Sequence, residues 1–142
     1  MGSRNYIQVN QASGSPIYLY GHSSGELHET TAKAIYRAAK EDRDRILDQS
    51  YMTRILFNQM QLDFGFRQDP QATLEGTIGF GIGTVQPESQ YDPIIVTWSG
   101  NAMYVTLDTE TFDAFNFMTR HLPLFDTEGN FISNAQTQEV TR

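Results

Sequence analysis

The sequence predicts an α+β fold, built as a single antiparallel β-sheet with two central helices packed on one face and a C-terminal helical or aromatic extension. Three observations predict it. Apolar residues alternate with period two on both flanks of the chain, recur with period 3.6 in its middle, and the strand-like runs are joined in pairs by turn residues. The resulting order, ββ, α, α, βββ, α, segregates helices from strands, which favours hairpin-connected antiparallel pairing over repeated βαβ units. With 142 residues, 39% of them hydrophobic, there is material for one core and too little for two. We therefore expect a single domain over residues 1–126 and a polar tail over 127–142.

Taken in order, Arg4 to Asn10 alternates around Tyr6, Ile7 and Val9 and reads as a first strand. Gln11 to Ser15 is a turn, and Ile17 to Tyr20 a second strand, with Pro16 at its start where a missing backbone donor does no harm. From about Glu26 to Leu47 an apolar stripe through Leu27, Ala34, Ile35, Ala38, Ala39 and Ile46 predicts a helix, whose mixed charges from Arg37 to Arg45 form a solvated face. Asp48, Gln49 and Ser50 supply cap residues for a second helix from Tyr51 to about Leu62, ended by Gly65. Phe66 to Glu75 is a polar connection.

Thr77 to Val85 then alternates strictly, with Ile78, Phe80 and Ile82 on one face and Gly79, Gly81 and Gly83 on the other. Glycine weakens a strand, so three at alternate positions call for close packing on the backbone; a crossing helix is preferred here to a bound ligand. Ile94 to Trp98 and Met103 to Leu107 form a hairpin about Ser99-Gly100-Asn101. Phe112, Phe115 and Met118 have helical spacing and predict a last helix capped by Asp108 or Thr109.

A formal net charge of −7 excludes broad binding to duplex nucleic acid, which needs clustered cations to displace phosphate counterions. With no cysteine there is no disulfide, thiol catalysis or cysteine-held zinc, and only His22, His28 and His121 offer imidazole. No run is long and apolar enough to cross a membrane, and residues 1–5 lack the apolar core of a secretory signal, so a cytoplasmic address without membrane contact is expected. No metal and no cofactor are expected.

The chemistry centres on Gly21-His22-Ser23-Ser24-Gly25. It matches the nucleophile-elbow string G-x-S-x-G, and Ser23, Asp108 and His121 follow the chain order of a hydrolase triad. Only twenty residues precede Gly21, too few for the strands that supply such an enzyme's oxyanion hole. Ser23 is therefore expected as a turn or cap residue, with no catalytic set. His22 or His28 with Glu26 or Glu29 lacks a metalloenzyme's ligand spacing. A binding role remains: the turn through Tyr20, Gly21, His22, Ser23, Ser24 and Gly25 presents backbone donors to a small anion, and Gly79 and Gly81 would floor a site for a flat ligand beside it. Arg54 or Arg67 would add charge. Tyr18, Tyr20 and Trp98 are available for stacking, although aromatic residues on strands more often fill cores.

Three stretches, Ser15 to His22, Ser50 to Phe57 and Thr77 to Ile82, continued by Pro93 to Val96, resemble a family of small uncharacterised proteins of tailed bacteriophages. In that family a Trp commonly follows the histidine, where this chain has Ser23, which argues against Ser23 as a nucleophile. The resemblance implies an accessory protein acting in the cytoplasm of the infected bacterial host. Joined to the turn, it leads us to expect a non-enzymatic counter-defence binder, a homo-oligomer, that sequesters a small anionic, nucleotide-like signal. The alternatives are an acidic protein-binding inhibitor of a host factor and a small serine esterase using the turn.

Overall fold

Alternation in Asn5–Asn10, strand β1, turns Ile7 and Val9 toward one side and Tyr6 and Gln8 toward the other, and this strand becomes the interior of the sheet. The computed structural model describes residues 3–66 and 69–123, so the expected tail over 127–142, and Arg67, lie outside the described residues. Beside β1 runs β2, Ile17–Gly21, as the antiparallel partner that the sequence predicts. Helices α1, His28–Glu41, and α2, Gln49–Gln61, follow, then a short α3, Pro70–Glu75. Strands β3, Phe80–Gly83, β4, Ile94–Ser99, β5, Ala102–Leu107, and β6, Glu110–Asp113, lead to α4, Ala114–His121. The sheet order is β3-β2-β1-β4-β5-β6.

The fold is α+β, and its sheet is mixed rather than wholly antiparallel. Ile7 lies beside Ile94 and Val9 beside Val96 in parallel, while every other neighbouring pair is antiparallel. The physical reason is the long excursion between β2 and β4. It carries three α-helices and a strand, enough chain for a crossover, whereas a tight turn can join only antiparallel neighbours. β3 docks on the free side of β2, so residues 84–93 must travel across the sheet to reach β4. On the way Gln86 Nε2 donates to the Tyr6 hydroxyl at 2.9 Å and Gln90 N to Arg4 O at 2.8 Å.

Local chemistry explains the other departures from expectation. The first helix stops at Glu41 because Asp42 is extended, and its carboxylate accepts from Asp44 N to open a separate 3-10 turn, Arg43–Leu47. The second helix continues into a π-helical turn, Leu62–Phe66, in which Gly65 sits where a Cβ would come within 2.9 Å of the Phe80 ring. Within the expected polar connection, Asp69 caps α3 by accepting from Ala72 N. Phe112 does not belong to the last helix: it lies in β6, and Asp113 rather than Asp108 or Thr109 caps α4, accepting from Phe115 N at 2.8 Å. Phe112 still meets Phe117 of α4 edge-on, so it packs into the same core as the helix it was expected to join.

All the long helices lie on the Ile7 face. Ile7, Val9, Leu19, Ile94, Val96 and Val105 are completely buried against Ile35, Leu56, Met60 and Phe117. Trp98 belongs to this core, with its indole Nε1 donating to Ile46 O at 2.7 Å, and so is not a stacking surface. Among the described residues no helix is long and apolar enough to cross a membrane.

At the start of β1 the fully buried Asn5 fastens three segments. Its Nδ2 donates to Gly25 O at 3.0 Å and Asp92 O at 3.1 Å, and its Oδ1 accepts from Tyr6 N at 2.9 Å. Asn5→Ala should therefore cost about 2–3 kcal/mol in urea unfolding, since it removes three hydrogen bonds and leaves the buried Tyr6 amide without its acceptor. A loss below about 1 kcal/mol would mean that water takes over these bonds.

Candidate functional site

The antiparallel register of β2 and β3 sets Tyr20 opposite Gly81, Tyr18 opposite Gly83 and Gly21 opposite Phe80. Parity then divides the residues. Gly21, Phe80 and Ile82 share the helix-bearing face, and Phe80 meets Phe57 of α2 edge-on. Tyr18, Tyr20, Gly81 and Gly83 share the opposite, helix-free face. Among the described residues the crossing helix expected over the glycines is therefore absent from their side: a Cβ built on Gly81 or Gly83 meets none of their atoms within 4 Å. Instead a shallow cleft of about 250 Å³ opens there, lined by Tyr18, Tyr20, Gly81, Ile82, Gly83 and Pro87 among others. Tyr18 is buried edge-on against Tyr6 at 5.4 Å, and Tyr20 is half-buried with its hydroxyl 3.4 Å from His22 Nδ1.

The turn that follows β2 is held from inside. His22 N donates to Gly79 O at 2.8 Å, Gly25 N to Ser3 O at 2.7 Å, and Ser24 Oγ to Gly21 O at 3.2 Å. Two of the backbone donors expected to receive an anion are thus consumed by the fold. Gly21 is required sterically, because a Cβ would lie 2.7 Å from the Ser24 Cβ, while Gly25 supplies a φ of +64°. Tyr20, His22, Gly79 and Gly81 come together; Arg54 does not. Arg54 stands exposed on α2, bonded to Asn58 at 2.7 Å, and so lies across the sheet from Gly81.

Ser23 is exposed on this turn, and the other two members of the hydrolase constellation line a different hollow. Asp108 and His121 border a cleft of about 360 Å³ between the start of α1 and the end of α4, together with Glu26, His28, Asp92 and Arg120. Ser23 is not among its lining residues, and no hydrogen bond joins Ser23 to His121 among the described residues. The His121 ring packs 5.1 Å from His28 and 4.4 Å from Phe117. Burial, reinforced by His28 and Arg120, holds its pKa below the usual imidazole value, against the opposing pull of Glu29 and Glu110.

A polar cluster that sequence reasoning missed lies on the far side of His28. Asp63 Oδ1 accepts from Lys33 Nζ at 2.9 Å and Gln59 Nε2 at 3.0 Å, and its Oδ2 accepts from the Thr30 hydroxyl at 2.7 Å. Arg37 donates to Gln59 Oε1 at 2.9 Å, and its pKa is lowered by burial and then by Arg54. With every carboxylate oxygen engaged, Asp63 locks the π-helical turn to α1. No local pattern announces a partner thirty residues away. Among the described residues no group of three or more histidine and acidic side chains is placed to hold a metal ion.

No protein-family model matches this chain, and neither a curated protein nor a solved structure matches it.

Two outcomes follow from these clusters. Asp63→Ala leaves the Lys33 ammonium, whose side chain is only 11% exposed, without its counter-charge, and should cost about 3–5 kcal/mol in urea unfolding. Lys33→Met combined with Asp63→Leu should recover most of that loss. For His121, the unfolded chain takes up the proton first as pH falls, so stability is full above the ordinary value of 6.5 and declines on acidification until the folded-state pKa is passed. Thermal melts from pH 8 to pH 5 should show this slope flattened in His121→Asn; an unchanged slope would assign the acid sensitivity elsewhere.

Proposed function

We propose that this chain is a non-enzymatic binding protein that captures a small, planar, anionic ligand of the nucleotide type on the helix-free face of the β2–β3 pair. The observation that carries the reading is the bare backbone of Gly81 and Gly83 lying open beside Tyr20 and Tyr18. A flat ring can approach a side-chain-free strand to van der Waals distance and meet an aromatic edge at its margin. The Tyr20 hydroxyl and His22, 3.4 Å apart at the end of this strip, offer donors for the anionic part.

The platform replaces the turn itself as the expected place of contact, because the amides of His22 and Gly25 are occupied. Capture rather than cleavage is favoured by the separation of Ser23 from the cleft of Asp108 and His121. The counter-defence role, removal of a nucleotide signal from an infected cell, is contributed by the sequence resemblance alone.

The test is a panel of linear and cyclic nucleotides presented to the full chain by calorimetry, with heat release and chromatography of whatever is retained. A retained nucleotide should emerge intact. Gly81→Leu should weaken its binding at least about tenfold, equivalent to about 1.4 kcal/mol, with the unfolding temperature little changed because the added side chain enters open space. Hydrolysed product would show an enzyme, and equal binding by Gly81→Leu would place the ligand elsewhere. Failure of every nucleotide to bind would end the proposal.

A further inference from the structure

We infer that β3 is a self-association edge, pairing antiparallel with β3 of a second copy of this chain about a two-fold axis at Ile82. Among the described residues the sheet has two edges, β3 and β6, and they are treated differently by the sequence. β6 carries Glu110 and Asp113, the kind of charge that discourages edge pairing. Residues 77–86, TIGFGIGTVQ, carry no charged side chain at all. In a molecule of net charge −7, a like copy meets least local repulsion along such an edge.

The backbone and the apolar surface agree with this. The hydrogen bond from His22 N to Gly79 O fixes the alternation of the β2–β3 ladder, so Gly79, Gly81 and Gly83 turn their amides and carbonyls toward β2. Phe80 and Ile82 turn theirs to the open side. On the same strand Ile82 is 61% exposed, with Ile78 and Val85 near it at 88% and 84%. A partner that fits must offer an extended, uncharged edge with a branched apolar residue on the helix face and nothing on the other. β3 itself meets that description. In a two-fold register centred on Ile82, this residue exchanges both backbone bonds with the partner subunit's Ile82 and covers its side chain, while Gly81 faces the partner's Gly83 with no side chains to collide. Neither step depends on a ligand.

The full chain examined by sedimentation equilibrium without nucleotide should dimerise, and Ile82→Lys should raise the dissociation constant at least about tenfold, roughly the worth of one apolar contact. Because Ile82 is largely exposed, that variant should keep the parent's circular dichroism, and its melting temperature when both are compared at a concentration where they are monomeric. A second measurement does not depend on it. The chain has no cysteine, so Ile82→Cys should give a reducible, disulfide-linked dimer without background, whereas Val85→Cys, which opposes the partner's Gly79, should give little. A parent chain that stays monomeric at all concentrations overturns the inference. So does a dimer indifferent to Ile82→Lys, or equal cross-linking through both cysteines.

Discussion

The rest of the structure depends on the buried side chain of Asn5. It stands at the first residue of β1, the strand that pairs antiparallel with β2 on one side and parallel with β4 on the other, and its amide group reaches sideways to the end of the β2 turn and to the segment leading into β4. Those segments are distant in sequence, and neither makes a tight local turn toward the other. An amide is suited to the task because it donates twice and accepts once without a charge to desolvate. Through Asn5, the position of Gly25 is tied to that of Asp92, and the start of α1 and the cleft beside His121 inherit their placement from it.

The two faces of the sheet divide the chemistry. On the helix-bearing face, polar groups that enter the interior are saturated: Asp63 accepts three bonds, Trp98 finds a carbonyl, and no buried side-chain nitrogen or oxygen among the described residues lacks a partner. On the other face the segment from β3 to β4 crosses near Tyr6, through Gln86, but leaves Gly81 and Gly83 open. The opening there is lined by backbone, aromatic rings and apolar side chains, with no charged residue among its lining.

Much of this was legible in the sequence, and the limits have physical causes. Period-two alternation located β1, β2, β4 and β5, and the apolar stripes located α1 and α2, because burial on one face imposes those periods directly. The same logic misplaced Phe112, since a short strand and the helix after it point side chains into one core and so mimic a single helical period. It gave the strict alternation of Ile78 to Gly83 its two faces but covered the glycines from the wrong side, because alternation distinguishes faces without saying which one meets the helices. Parallel pairing of β1 with β4, the cluster around Asp63, and the gathering of Asp108 with His121 and His28 depend on distant segments. Proximity in the chain carries no trace of them.

The central strand also sets an order on synthesis. Ile7 lies beside Leu19 on one side and beside Ile94 on the other. The hairpin can close soon after both arms emerge from the ribosome, but the second edge of β1 must wait until the helices, β3 and the crossing segment have all been made. For that interval Ile7 and Val9 have a strand partner on one side only, an arrangement that is marginally stable alone and exposed to mispairing. The nascent chain therefore cannot complete the core around Ile7 and Val9 until β4 has been made, because Ile94 and Val96 are their neighbours on that side.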